Sequence, residues 1–272
     1  MMTTLAAIQM VSTMDVSENL ATAGRLVADA VAKGADFVSL PEYFCLMGAS
    51  DADRLAIGEP AGVGPIQRFL ADTARSHGVW LLGGTVPIRT SDGSHVRNAS
   101  CVFSPDGALA ARYDKIHLFA FDNGREAYDE GTVLDAGTTP VSLEALGLRI
   151  GLSVCYDLRF PELYRAMTYQ AGQRPLDLIC APSAFTWSTG QKHWELLLRA
   201  RAVENQCYVM ASAQGGMHRN GRRTWGHSLV TDPWGDVIAC VDEGEGIALA
   251  TLDTARIAAV REQLPALGHR KL

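Results

Sequence analysis

The sequence predicts an α/β fold in a single domain, residues 1–272, with mixed sheets and helices on the outside. Three observations carry this expectation. Short apolar runs of strand length alternate with segments of helical periodicity along most of the chain. The middle of the chain holds a hairpin with its own turn chemistry. The 272 residues are 47% hydrophobic with a net charge of only −6, enough to bury a large core without disulfide or metal staples and too apolar for disorder.

Taken in order, Thr4–Val11 is an apolar stretch of strand length, and Val16–Lys33 places Leu20, Ala23, Val27, Ala30 and Val31 on one helical face, with Gly34 as its C-cap. Asp36–Leu40 reads as a short buried strand ending at Pro41. Gly64–His77 has helical spacing at Ile66, Phe69, Leu70 and Ala74, closed by Gly78. Val79–Ile88 reads as one long strand whose Gly83 and Gly84 mark a bulge or a close backbone approach. Val96–Phe103 and Ala108–Lys115 flank the turn Ser104-Pro105-Asp106-Gly107, and the polar stretch Phe121–Gly137 reads as loop. Arg149–Val154 is a strand, Pro161–Gly172 a helix with proline at a tolerated first position, Asp177–Pro182 a strand and Gln191–Asn205 a helix. Cys207–Ala213, His227–Asp232, Asp236–Asp242 and Ile247–Asp253 read as strands, and Thr254–Leu264 as a last helix. No internal repeat or linker-like shift divides the chain.

Composition excludes several classes. With 24 basic against 30 acidic residues, a nucleic-acid surface built on bulk charge is not expected. The N-terminus has no basic region before Arg25 and does not read as a secretory signal, and no apolar run approaches the roughly 18 residues that span a bilayer. The six cysteines, Cys45, Cys101, Cys155, Cys180, Cys207 and Cys240, are too far apart for CxxC metal or redox pairs. A cytoplasmic protein with reduced thiols, no metal and no cofactor is expected, acting on a small molecule.

Among the thiols Cys155 stands apart. It ends a strand and precedes a helix, the kind of turn that lifts a nucleophile clear of a sheet beside free backbone N–H groups. Cys101, Cys180, Cys207 and Cys240 lie inside apolar strands and read as buried, inert groups, which leaves Cys45, in a loop, as the rival nucleophile. Glu42, in Leu40-Pro41-Glu42-Tyr43-Phe44, is a carboxylate wedged between apolar residues at a strand's C-terminal end, where α/β folds gather their sites. A solvent-facing loop glutamate fits the same position. Lys115 closes the hairpin and reads equally well as a solvated charge. Together the three form a coherent machine. A thiol near pKa 8.5 needs a base, a glutamate can take and return its proton, and a lysine with the Tyr156 N–H can hold the oxygen of a tetrahedral intermediate.

The segments Leu40-Pro41-Glu42, Tyr113-Asp114-Lys115-Ile116-His117-Leu118-Phe119 and Ser153-Val154-Cys155-Tyr156-Asp157-Leu158-Arg159-Phe160-Pro161-Glu162 resemble, in order, the three motifs of the nitrilase superfamily of carbon–nitrogen hydrolases. The likeness runs from about Thr4 to Leu272. It implies an α-β-β-α four-layer sandwich extended by dimerisation into a homodimer or higher homo-oligomer. It also implies a catalytic Glu42–Lys115–Cys155 triad and a second glutamate at Glu130, with Glu126 in the same loop as its competitor. Pro182-Ser183-Ala184-Phe185, Thr189-Gly190 and Trp225-Gly226-His227-Ser228 resemble the Nit-type branch, which includes deaminated glutathione amidases and omega-amidases. Ser183 and the stretch Ala211–Met217 are closer to the former. The implied reaction is cofactor-independent: a thioester on Cys155, release of ammonia, and hydrolysis of the acyl-enzyme. The implied substrate is a small amide with a carboxylate or α-keto acid end, and no nucleic acid or membrane is involved. Tyr156, Phe185 and Thr189 would line the pocket. Arg159 is either a clamp for the substrate carboxylate or a brace paired with Asp157 or Glu162. An N-carbamoyl amino acid hydrolase and a catalytically silent binding protein of the same fold are the alternatives.

Overall fold

A computed structural model describes residues 1–50, 52–122, 124 and 127–271. The elements run β1 (Met2–Gln9), α1 (Val16–Ala32), β2 (Phe37–Ser39), α2 (Ala52–Ala56), α3 (Pro65–His77), β3 (Trp80–Leu82), β4 (Val86–Arg89), β5 (Val96–Phe103) and β6 (Leu109–Asp114). A small hairpin of β7 (Ala120–Asp122) and β8 (Ala127–Asp129) follows, then β9 (Val141–Ala145), β10 (Leu148–Leu152), α4 (Pro161–Thr168), β11 (Leu178–Cys180), α5 (Trp187–Asn205) and β12 (Tyr208–Ala211). The chain ends with β13 (Gly215–Met217), β14 (Arg223–Trp225), β15 (Leu229–Thr231), β16 (Val237–Cys240), β17 (Gly246–Asp253) and α6 (Thr254–Gln263).

Two main sheets result. The first has the order β17-β1-β2-β3-β5-β4, with β6 also on β5, and the second the order β16-β15-β12-β11-β10-β9. β1 runs parallel to β2 and antiparallel to β17, with Met2 opposite Asp253 and Gln9 opposite Gly246. The side-chain period of two assigns each face. In β1, Leu5 and Ala7 enter a core shared with the second sheet, whereas Ala6 and Ile8 enter the core under α1 and α3. Phe37 and Val38, Leu82 and Leu81, and Val102 and Cys101 divide in the same way. On the far side, Leu163, Tyr164 and Met167 of α4 and Trp194, Leu198 and Ala202 of α5 cover the second sheet. The layers are therefore helix, sheet, sheet, helix, the α-β-β-α sandwich that the family resemblance implied.

Several predicted elements are shorter or divided. The expected long strand over 79–88 is two strands, broken at Gly84. This residue has φ +54°, and a Cβ there would lie 2.1 Å from the Pro41 carbonyl oxygen, so the expected close approach is real and ends β3. The polar stretch read as loop over 121–137 contains the β7–β8 hairpin and a 3-10 turn, Glu130–Thr132. α5 begins four residues before the predicted start, and α4 stops at Thr168. Cys240, expected to be buried, is exposed on edge strand β16, while the other five thiols are buried. Among the described residues no helix is long and apolar enough to cross a membrane.

Candidate active site

Glu42 follows β2, Lys115 follows β6, and Cys155 follows β10, so strand ends of both sheets converge on one place. Lys115 is fully buried, and its ammonium donates to Glu42 Oε1 at 2.9 Å and to Glu130 Oε1 and Oε2 at 3.0 and 2.9 Å. A lone ammonium in the interior would be prohibitively costly. Two carboxylates resolve that cost, and they in turn are held from outside. Asn98 donates to Glu42 Oε1 at 2.9 Å, the Phe119 N–H to Glu130 Oε2 at 2.8 Å, and the Tyr43 hydroxyl to Glu130 Oε1 at 2.5 Å. The structure thus places Glu130 on the lysine. Glu126 lies outside the described residues.

Cys155 takes a left-handed backbone, φ +48°, a sparsely populated region for a residue with a side chain. The local sequence over-determines it. The Cys155 N–H is fixed by the Pro182 carbonyl at 2.9 Å. Asp157, with no exposed surface, accepts from the Val154 N–H at 2.8 Å and the Tyr113 hydroxyl at 2.7 Å through Oδ2. Its Oδ1 takes the His117 N–H at 3.1 Å and faces His117 Nδ1 at 2.7 Å. Tyr113 and His117 flank Lys115, so one carboxylate fixes the nucleophile's turn to the lysine's segment. The Tyr156 N–H belongs to the opening of a 3-10 turn, Cys155–Arg159, where the first N–H groups have no partner within the helix.

These groups open into a pocket of about 360 Å³ of empty space, lined by Glu42, Tyr43, Phe119, Glu130, Cys155 and Tyr156, with Arg159, Ala184, Phe185, Thr186, Thr189 and Arg222 around the rest. Tyr156, Arg159, Phe185 and Thr189 all lie on its wall, and Thr189 is steadied by Thr186 Oγ1 at 2.8 Å. Arg159 pairs with neither Asp157 nor Glu162. Its guanidinium lies 3.2 Å from His193 Nδ1 and over the Tyr156 and Phe185 rings, at 5.7 and 5.4 Å. Asp157 is already committed to the turn.

The electrostatics follow from burial. Burial raises the Glu42 carboxyl above its usual value, opposed by Lys115 and reinforced by Glu130. Burial also pushes the Cys155 thiol well up, and the Glu42 charge adds to this while Lys115 only partly offsets it. The resting nucleophile is therefore a thiol beside a carboxylate rather than a standing thiolate. For Lys115, burial favours the neutral amine, but Glu130 and Glu42 outweigh it and hold the pKa well above normal. Glu130 is likewise opposed by burial but ends lowered, held ionised by Lys115, Arg54 and its hydrogen bonds. The arrangement is a charged scaffold, Lys115 and Glu130, beside a base of raised basicity. The rival thiol Cys45 is buried against the Thr85 carbonyl and pushed up to about 12 by burial. Among the described residues no group of three His, Cys, Asp or Glu side chains could hold a metal.

Sequence reasoning missed four residues here. Tyr43 was read only as an apolar neighbour of Glu42, yet its φ of +57° and its N–H bond to Thr85 Oγ1 at 2.9 Å aim the ring at Glu130. Asn98, inside strand β5, is a buried donor to the base. Asp157 was legible only as part of a motif. Arg222, in His218-Arg219-Asn220-Gly221-Arg222-Arg223, carried no signal beyond its charge.

The site and fold define a class that comparison with known proteins identifies. Residues 4–262 match the family model for carbon-nitrogen hydrolases, and the chain belongs to that family. It is 38% identical over 270 residues to a deaminated glutathione amidase from Synechocystis sp., covering 97% of each chain. To the Homo sapiens deaminated glutathione amidase it is 39% identical over 278 residues, covering 98% of this chain and 82% of that one. The structure of Saccharomyces cerevisiae Nit3, a member of branch 10 of the nitrilase superfamily, superposes with a TM-score of 0.86 at 30% identity, covering 97% of this chain and 94% of that one. Within the family this chain is an amidase of the nitrilase superfamily.

Proposed function

We propose that residues 1–272 form one catalytic domain that hydrolyses a small linear amide bearing a carboxylate or α-keto acid on its acyl side, deaminated glutathione first and α-ketoglutaramate second. The observation that carries this is the meeting of Cys155, Glu42 and Lys115 at the base of one pocket, with Arg159 on its wall and, among the described residues, in no ion pair with a carboxylate. The relatives named deaminated glutathione amidase support the first substrate.

In this mechanism Glu42 takes the Cys155 proton as Sγ attacks the amide carbon. Transfer must accompany attack, because burial keeps the thiol protonated. The carbonyl oxygen gathers negative charge beside the Lys115 ammonium and the Tyr156 N–H, donors held in place before the reaction. Glu42 returns the proton to the departing nitrogen, which leaves as ammonia from a primary amide and as the peptide amine from deaminated glutathione. A water deprotonated by Glu42 then opens the thioester, and the acid leaves with Cys155 restored. Glu130 takes no proton. It anchors Lys115 so that the ammonium stays between base and substrate.

The Arg159 guanidinium matches a carboxylate bidentately, and the Phe185 and Thr189 side chains border the same wall. Exposed Leu196 and Val203 on α5 and Val237 and Ile238 on edge strand β16 support a homodimer or higher homo-oligomer built on that face. Six free cysteines agree with a reducing, cytoplasmic location. The test is a screen for released ammonia, amine and acid across amides, nitriles and N-carbamoyl compounds, with Cys155→Ser as control. Turnover confined to α-keto or carboxylate-bearing amides is the expected result. Turnover of N-carbamoyl amino acids alone would overturn the substrate assignment.

A further inference from the structure

The pocket has a second arginine that the reaction above does not use. Arg222 sits between β13 and β14 and lines the same cavity as Cys155. Its guanidinium covers the Tyr128 ring at 4.9 Å, and among the described residues it has no carboxylate partner. The neighbouring arginines are committed: Arg223 to Glu243 and Arg219 to Glu18. An arginine left out of a surface so rich in acceptors, and turned to a catalytic cavity, has its charge in reserve for something else.

Aromatic contacts place it relative to Arg159. Arg159 lies over Tyr156, Tyr156 meets Phe119 edge-on at 5.2 Å, Phe119 meets Tyr128 at 5.8 Å, and Tyr128 carries Arg222. The two guanidinium groups, neither ion-paired to a carboxylate among the described residues, therefore terminate a row of three rings, Tyr156, Phe119 and Tyr128, and Phe119 and Tyr156 border the pocket. A single-carboxylate amide can occupy only one end of that row.

Resting on the reading of the site given above, we propose that Arg222 is a specificity-determining residue for the leaving group. In this assignment Arg159 receives the carboxylate of the acyl part, while Arg222 receives a second carboxylate carried by the departing amine. The preferred substrate class is then an N-substituted amide with an anionic group at each end, such as an α-keto acyl peptide with a free C-terminus. A primary amide such as α-ketoglutaramate leaves the Arg222 end empty. The aromatic row supplies flat apolar walls for the uncharged middle of such a molecule, where stacking and burial assist without selecting a side chain.

The experiment compares two substrates that differ only at the far end: deaminated glutathione, and its analogue with the C-terminal carboxylate converted to a carboxamide. Wild type should favour the acid in kcat/KM by about tenfold or more, the value of one charge-assisted contact, mainly through KM. Arg222→Gln should bring that ratio close to one, and Arg222→Lys should restore part of it. If Arg222 merely braces Tyr128, Arg222→Gln will slow both substrates equally and leave the ratio at its wild-type value, which overturns the proposal. A wild-type ratio near one overturns it without any variant. Absence of turnover on both compounds together with α-ketoglutaramate marks failure of the underlying substrate reading instead, since an enzyme that lacks only the Arg222 contact still cleaves α-keto amides.

Discussion

Replacing Lys115 by Met removes the ammonium held between Glu42 and Glu130 and keeps most of the volume. The ammonium lies 2.9 Å from Glu42 and 2.9 Å from Glu130. Without it two carboxylates, 1% and 6% exposed, face each other in a low-dielectric interior. Removing one member of a buried ionic set costs about 3–5 kcal/mol. Domains of this kind have about 5–15 kcal/mol in hand, so the variant should fold. The deficit can be relieved only by protonation: losing the ammonium lifts the folded-state pKa of the carboxylate pair above the usual 4.5. A carboxyl raised in the folded state leaves stability intact below its unfolded pKa. It loses stability as pH rises through the folded value, at about 1.4 kcal/mol per pH unit for one proton. In the wild type Glu130 is lowered instead, so its contribution is present above 4.5 and lost on acidification. The two proteins should therefore differ least near pH 4 and increasingly toward neutrality. Urea unfolding at several pH values measures this, with acylation rates followed alongside. Acylation should fall by at least about 10²–10³-fold, the usual cost of an oxyanion donor. A stability difference independent of pH, or acylation at the wild-type rate, would refute the assignment of a buried, doubly paired lysine.

Three further outcomes follow from the same geometry. Cys155→Ala or Cys155→Ser should abolish turnover with little change in the unfolding midpoint, whereas Cys45→Ala should stay active; the reverse pattern identifies Cys45 as the nucleophile. Arg159→Lys should lower kcat/KM for α-ketoglutaramate far more than for a neutral amide of similar size, because an ammonium lacks the planar fork; an unchanged ratio removes Arg159 from substrate binding. Asp157→Asn should destabilise the fold by about 1.5–3 kcal/mol, the range for hydrogen bonds to a charged group, and should depress kcat more than KM as the Cys155 turn drifts from Lys115; a proportionate loss in a variant with unaltered kcat would make Asp157 purely structural.

The alternation of strands and helices was legible because burial on both faces of the sheets leaves period-two and period-3.6 patterns in the sequence, as in Leu5 to Ile8 and along α1, whereas the four-layer stacking was implied only by the family resemblance. Elements without such a pattern escaped. β13 is Gly-Gly-Met, β7 and β8 are three residues each with half-exposed or exposed side chains, and the first turn of α5, Trp187-Ser188-Thr189-Gly190, has no apolar repeat. The Glu42, Lys115 and Cys155 positions were readable as residue types at strand ends. Tyr43, Asn98 and Arg222 were not, because their roles rest on direction: a positive φ, a neighbouring strand, a ring 4.9 Å away. Arg201 shows the same limit. Besides its ion pair with Glu204 at 2.8 Å, it is buried and donates from Nε and Nη2 to the Leu158 carbonyl at 3.1 and 2.7 Å, steadying the nucleophile's turn from behind.

The pairing of β1 with β17 gives the molecule a particular order of assembly. The second strand of the first sheet, counted from its edge, precedes every other strand of the two main sheets in the sequence, and its outer neighbour follows them all. Loop-closure entropy must be met before such distant contacts return anything, so this topology belongs with the slower folders. The second sheet, contributing Cys155, is built from residues 141–240 and lies wholly between these two strands in the sequence. Until residues 246–253 have left the exit tunnel, β1 has an open edge and the sheet that carries Glu42 and Lys115 is unfinished. A nascent chain can thus hold all of its reactive groups in covalent order and still have no active site, and the appearance of activity during synthesis would time the closing of that last strand.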